Sequence, residues 1–155
     1  MSDPTLTAGA DASYREALLE KLGEADPVHE LSALFERLPA ALSGLTEDQL
    51  RESEGPGKWS ILQVVQHMAD VELVQGMRIR RILVEDHPEL VAMDQDAWAE
   101  RLWPDDADLE DALDTLRALR LANLRLVTHL SPDDLARDAQ HPERGVETLE
   151  TLLKL

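Results

Sequence analysis

The stretch KWSILQVVQHMADVE, residues 58–72, opens the longest predicted helix of the chain. Ser60 and Gln63 have the spacing of a capping box, in which each side chain satisfies a backbone amide of the other residue. Together with the apolar residues that follow, this box predicts a helix over about residues 60–85. Local helix physics explains nearly every residue of the stretch, and His67 is the exception.

Trp59 precedes the cap and is placed to pack on Val64 as a hydrophobic staple. His67 falls beside the apolar face of the helix, at the edge of the predicted core, where its side chain can point into a groove. The apolar face consists of residues at helical spacing: Ile61, Val64, Val65, Met68, Ile79, Ile82 and Leu83. Since interior imidazoles usually find a hydrogen-bond partner, a structural and a functional interpretation of His67 both stay open.

Three further polar residues fall on apolar helix faces. Glu72 and Gln75 lie near the centre of the apolar face that His67 borders, where an unpaired carboxylate would be costly. Asn123 lies on the apolar stripe of a later helix. Facing polar groups inside a helical bundle can build a ligand or metal site. Alternatively, they bond one another or meet solvent at the end of the bundle.

Outward from this stretch, the chain is helical by composition and pattern, because it is rich in Leu and Ala and poor in β-branched residues. Asp26 and Pro27 begin an earlier amphipathic helix, and Asp94 caps a short helix. The acidic segment 104–111 begins a third long helix, and the last one starts near Thr148. A chain of 155 residues fits one domain, so we expect a disordered leader at residues 1–10 and a single helical domain at 11–155. We also expect the last helix to continue past Leu155.

Charge and composition exclude several classes of function. Lys and Arg total 15 against 32 Asp and Glu, and the net charge of −17 repels nucleic acid and anionic membranes. The absence of cysteine excludes disulfides, thiolate nucleophiles and Cys-ligated zinc. No apolar run is long enough for a membrane span and no signal peptide is recognisable, so we expect a cytoplasmic protein.

The five histidines contain no local H-x-x-x-H pair, since no two are three or four residues apart. His87 and His141 each precede a proline, which favours solvated loops. His29 and His129 lie near predicted helix ends and are interpreted as structural.

The quoted stretch resembles the K-W-S-x-x-x-x-x-x-H-x-x-x-x-E signature of the DinB-like, or YfiT-like, four-helix-bundle metalloproteins. The resemblance extends to MDQDAWAE (93–100), LSPDDLAR (130–137) and HPERGVETLETLLKL (141–155). It implies an all-α fold of the DinB/YfiT-like four-helix-bundle type, with short extra helices.

The resemblance also implies a divalent metal, Zn or Ni, held by three histidines. His67 matches the first ligand, and the other two, spaced H-x-x-x-H, are expected beyond Leu155. Glu72 matches the acidic residue of the signature, either as a proton acceptor or as a residue that orients a metal ligand.

Members of the family act as thiol S-transferases on low-molecular-weight thiols or as hydrolases. The resemblance therefore implies a metal-dependent enzyme acting on a small molecule, and a homodimer. The competing hypothesis is a metal-free helical interaction protein in which His67 and Glu72 only form hydrogen bonds in the core. Nucleic-acid binding is a third hypothesis, against which the net charge argues.

Overall fold

A computed structural model describes residues 15–103 and 106–155. The expected disordered leader, residues 1–10, lies outside the described residues. Residues 15–22 are helical. The elements that follow are α1 Pro27–Leu42, α2 Glu47–Arg51, α3 Ile61–Val84, α4 Gln95–Leu102, α5 Leu109–Val127, α6 Pro132–Leu135, β1 Asp138–His141, β2 Gly145–Thr148 and α7 Leu149–Lys154. Among these residues, no helix is both long and apolar enough to cross a membrane.

Two predicted caps and one predicted helix start are confirmed. The Ser60 hydroxyl accepts a bond from the Gln63 amide at 3.3 Å, while the Gln63 side chain accepts one from the Ser60 amide at 2.9 Å. The Asp94 carboxylate accepts a bond from the Ala97 amide and caps α4, and the Thr148 hydroxyl accepts one from the Thr151 amide and caps α7. Because each cap satisfies a backbone amide that the helix itself leaves free, the sequence places these starts correctly.

The chain forms two compact units. The first, here the His67 unit, consists of Ser32–Gly76 and Met93–Arg125. Its core is a cluster of three buried side chains, Val65 and Ala69 from α3 and Leu116 from α5. Further apolar residues pack against this cluster from α1, α3 and α5: Leu34, Leu38, Leu42, Met68, Leu109, Ala112 and Leu113. The helix stripes read from the sequence therefore meet as expected for amphipathic helices.

The second unit, here the hairpin unit, contains Met77–Ala92, Leu126–Leu155 and the described part of Met1–Leu31. Strands β1 and β2 pair antiparallel, with Asp138 opposite Thr148 and His141 opposite Gly145. Arg137, directly before β1, donates to the carbonyl oxygens of Ile82 and Glu85 at 2.6 Å each. These carbonyls lie at the C-terminal end of α3, where a cation is favoured, so Arg137 fixes the hairpin to that helix end.

The sequence did not predict this hairpin. In β2 a charged side chain is buried and an apolar one is exposed, the reverse of the usual pattern: Glu147 is 3% exposed and its neighbour Val146 is 65% exposed. The buried Glu147 carboxylate accepts two bonds from the Arg144 guanidinium, at 2.6 and 2.9 Å. An ion pair therefore occupies the inward position that alternation rules assign to an apolar residue.

Candidate functional site

His67 lies in the second turn of α3 and is half-buried, and two tryptophans pack around it. The ring centroid of Trp59 is 4.9 Å from that of His67, and the centroid of Trp103 is 6.3 Å away. The two indoles also contact each other edge-on, with their centroids 5.1 Å apart. Trp59 packs on these rings, and Val64, its expected partner in a hydrophobic staple, is 43% exposed.

The positions of both tryptophans follow from helix ends. Trp59 directly precedes the Ser60 cap of α3, and Trp103 is the C-cap residue of α4. The indole nitrogen of Trp103 donates to the Asp70 carboxylate at 2.8 Å. Asp70 follows His67 by three residues and so lies on the adjacent turn of the same helix face. Trp103 is thus tied to the turn that carries the imidazole.

Burial lowers the pKa of His67 below its ordinary value of 6.5, while the negative charge of Asp70 acts in the opposite direction and is the smaller effect. Its Nδ1 atom is buried and has no hydrogen-bond partner within residues 15–103 and 106–155. A neutral imidazole with an unsatisfied buried nitrogen is the form in which histidine binds a metal ion. His67 therefore fits one ligand position.

A complete metal site requires more ligands than His67 alone. No group of three or more His, Asp or Glu side chains able to hold an ion is found in the described part of the chain. Catalytic divalent ions usually have about three protein ligands. The two histidines expected beyond Leu155 stay a prediction.

Glu72, the acidic residue of the signature, is buried in a polar cluster within the His67 unit. One of its carboxylate oxygens lies 2.7 Å from Nε of Arg120. The Asn123 amide donates to the other oxygen at 2.9 Å and to the Glu72 backbone carbonyl at 2.8 Å. Glu72 and Asn123, two of the three polar residues predicted on these helix faces, therefore bond one another across α3 and α5, and the third, Gln75, is half-buried. This arrangement offsets the cost of burying the carboxylate.

Of His29, His87 and His141, one differs from the expectation in its exposure to solvent. His29 is exposed, and His87 is exposed and pairs with Asp138. His141 was expected in a solvated loop, and this is wrong, because it is 1% exposed. Its Nδ1 atom accepts the backbone amides of Glu143 and Arg144 and so shapes the turn of the hairpin. A polar atom with two local donors is satisfied inside the protein.

The sequence did not identify Asp70 and Trp103 as neighbours of His67. Trp103 lies five positions after Trp98, the tryptophan of the quoted segment 93–100. The only local signal at Trp103 is the following proline, which marks a helix end and says nothing of a partner.

Comparisons with known proteins identify the family and the fold of the chain. A family profile described as the DinB superfamily matches residues 30–155. OB0782 of Oceanobacillus iheyensis, provisionally named a metal-dependent hydrolase, is 30% identical over 118 residues, which are 76% of this chain and 68% of the relative. YfiT of Bacillus subtilis has the same provisional name and is 30% identical over 120 residues, which are 77% of this chain and 67% of YfiT.

The solved structure of YfiT is described as a four-helix bundle with an unusual topology. It matches this chain with a TM-score of 0.77 at 28% identity, covering 83% of this chain and 74% of the YfiT chain. The expected family and fold class are both confirmed. The chain belongs to the DinB superfamily and has the all-α, four-helix-bundle fold of its YfiT-like members.

Proposed function

We propose that this protein is a divalent-metal-dependent enzyme acting on a small molecule, in which His67 is one of the metal ligands. The observation that carries the proposal is the buried, unpartnered Nδ1 atom of His67, whose lowered pKa keeps the imidazole neutral. Relatives with provisional names of metal-dependent hydrolases support it. Zn²⁺ and Ni²⁺ are among the ions that suit imidazole ligands.

The proposed site combines residues of this chain with two histidines expected after Leu155. The chemistry that a bound divalent ion supplies is Lewis-acid activation of a water or a thiol near neutral pH. Trp59 and Trp103 cover the imidazole and keep water from one side of it. Asp70 holds the Trp103 indole in place.

For Glu72 we propose an orienting role rather than proton transfer. Its carboxylate already interacts with Arg120 and Asn123, and these contacts fix α3 against α5 within the His67 unit. A proton acceptor must reach the substrate, whereas a buried carboxylate with two partners best serves to hold the helix that carries His67.

Two reactions fit this proposal. Hydrolysis is favoured by the names of the relatives. Transfer of a low-molecular-weight thiol to an electrophile is the alternative, since the same ion would activate a thiol. We propose the cytoplasm as the compartment, where small thiols are kept reduced.

The test measures both reactions on the product of the complete reading frame, loaded with Zn²⁺ or Ni²⁺. Activated esters report hydrolysis, and conjugation of a small thiol to an electrophilic dye reports transfer. We expect one activity that disappears with a chelator and in His67→Gln, but persists in the exposed-site control His29→Gln. Equal rates in the two variants would reject the proposal.

The competing candidate is a metal-free interaction protein. The observation that favours it is the hydrogen bond from Asn123 to the buried Glu72 carboxylate, which is the structural use that this hypothesis assigns to Glu72. It predicts no binding of Zn²⁺ or Ni²⁺ and no activity in either assay, which separates the two hypotheses.

A further inference from the structure

A second candidate site lies between α1 and α5 in the His67 unit. The structure has a cavity of about 250 Å³ there, open to solvent on one side. Apolar side chains form its wall, among them Phe35 and Leu38 from α1 and Leu113 from α5. His67 does not line this cavity, so the cavity is separate from the proposed metal ligand.

The cavity exists because α1 covers α5 incompletely. Although α1 has a clear apolar stripe, none of its residues is fully buried. Pro39 lies inside the helix and also lines the cavity. Since proline has no amide hydrogen, it cannot donate the usual helical bond to the carbonyl of Phe35. The apolar wall of the cavity therefore includes a turn of α1 that lacks one of its backbone hydrogen bonds.

The volume and wall suit a small apolar group. A dry cavity of roughly 150 Å³ lined by Leu, Ile and Phe is sufficient to bind benzene. The larger cavity here therefore has room for one aromatic ring with a short chain attached.

The mouth of the cavity adds a charge preference. Glu110 and Asp114 lie one turn apart on α5, and Arg117 is the single basic residue of the lining. All three are exposed. Two carboxylates against one guanidinium, on a chain of net charge −17, create a field that attracts cations and repels anions.

We propose that this cavity binds a small amphipathic cation, with an apolar ring or branched chain inside and an ammonium group at the carboxylates of Glu110 and Asp114. The binding requires no metal ion, because none of its partners is a proposed metal ligand.

The test measures binding of three probes of similar size to the metal-free protein by NMR titration: 2-phenylethylammonium, 2-phenylethanol and phenylacetate. We expect saturable binding that is strongest for the cation and weakest for the anion, with the difference shrinking at high salt. Leu113→Phe should weaken binding at least about tenfold, because the added ring takes the volume that the ligand needs. Leu119→Phe is the control, a half-buried leucine of α5 that does not line the cavity.

Charge variants at exposed positions keep the test independent of any folding defect in Leu113→Phe. Asp114→Asn should reduce the preference for the cation over the alcohol about threefold, and Arg117→Gln should increase it by a similar factor. Asp96→Asn, outside the cavity, should leave it unchanged. The proposal is overturned if no probe binds saturably, if all three bind equally, or if folded Leu113→Phe binds like the wild type.

Discussion

His67 shows how one residue can be located from sequence while its surroundings cannot. Its position beside the apolar face follows from helical periodicity, and the structure confirms that it is half-buried. The indole of Trp103 and the carboxylate of Asp70 are 33 residues apart in sequence. No local rule pairs residues at that separation, so the aromatic surroundings became visible only in the structure.

The same limit explains His141. A proline after a histidine indicates a loop, and loops are usually exposed. The turn of the hairpin instead gives the imidazole two backbone donors, which makes its burial possible. Glu72 and Asn123 were predicted as interior polar residues, whereas their third partner, Arg120, was not identified because an arginine on a helix is usually solvated.

The lowered pKa of His67 predicts a pH dependence of stability in the metal-free protein. At a pH between 6.5 and the lowered pKa, the His67 imidazole is mostly protonated in the unfolded chain and mostly neutral in the folded one. The free energy of unfolding should therefore fall as the pH falls from 6.5 through the folded-state pKa. Urea titrations of wild type and His67→Gln between pH 7 and about pH 4.5 measure this change.

In His67→Gln the decrease in the free energy of unfolding at acidic pH should be smaller, because glutamine does not titrate. His29→Gln is the matched control, since that side chain is exposed, and it should retain the wild-type profile. A His67→Gln profile parallel to the wild type would show that burial of this imidazole has no effect on stability.

The buried cluster around Glu72 predicts a strong non-additive effect. Glu72→Ala should destabilise the protein by about 3–5 kcal/mol, because it leaves the Arg120 guanidinium buried without its carboxylate. The double variant Glu72→Leu/Arg120→Met should recover most of this loss, since it removes both charges. Chemical denaturation of the two variants gives the comparison. A loss below about 1 kcal/mol for Glu72→Ala would mean that the pair is effectively solvated.

At the scale of elements, helix starts were predictable and the hairpin was not. A cap depends on residues within about four positions. Ser60 and Asp94 form the predicted bonds, and Thr148 begins the last helix where it was expected. The hairpin depends instead on distant partners. Arg137 binds carbonyls more than 50 residues earlier, and β1 also pairs with the segment after α3 through Glu89 and Gln140.

Gly145 tests the hairpin directly. Its φ of 80° lies in the left-handed region, and a Cβ added there would meet no atom within 4 Å. Gly145→Ala should therefore destabilise the protein by about 1–2 kcal/mol through backbone strain alone. Gly55→Ala is the control, because Gly55 has equal space and no positive φ. Thermal unfolding compares the two, and equal midpoints would contradict the strained turn.

At the scale of the whole molecule, composition and the resemblance predicted the all-α class and the DinB family, and both are confirmed. Class follows from residue content and periodicity, which are summed over the whole chain. The reaction and the substrate depend on the few groups that surround one site. The sequence therefore predicted only a general type of reaction and a small-molecule substrate.

The homodimer stays a prediction, and exposed apolar residues of α3 support it. Met77 is 56% exposed and Val84 is 80% exposed. The two residues are seven positions apart and therefore lie on one face of the helix. If this face is the interface, the wild type should sediment as a dimer and Met77→Glu/Val84→Glu as a monomer. Val146→Glu is the control at an equally accessible valine of β2. A monomeric wild type would reject the prediction.

The metal content of the complete gene product tests the central claim most directly. After equilibrium dialysis against Zn²⁺ or Ni²⁺, wild type and His29→Gln should hold about one ion per chain by elemental analysis. Loss of a residue that only orients a metal ligand weakens metal binding by roughly 10- to 100-fold. His67→Gln removes a ligand itself, so its affinity for the ion should fall by more than this. The same stoichiometry and affinity in all three proteins would contradict the assignment of His67 as a metal ligand.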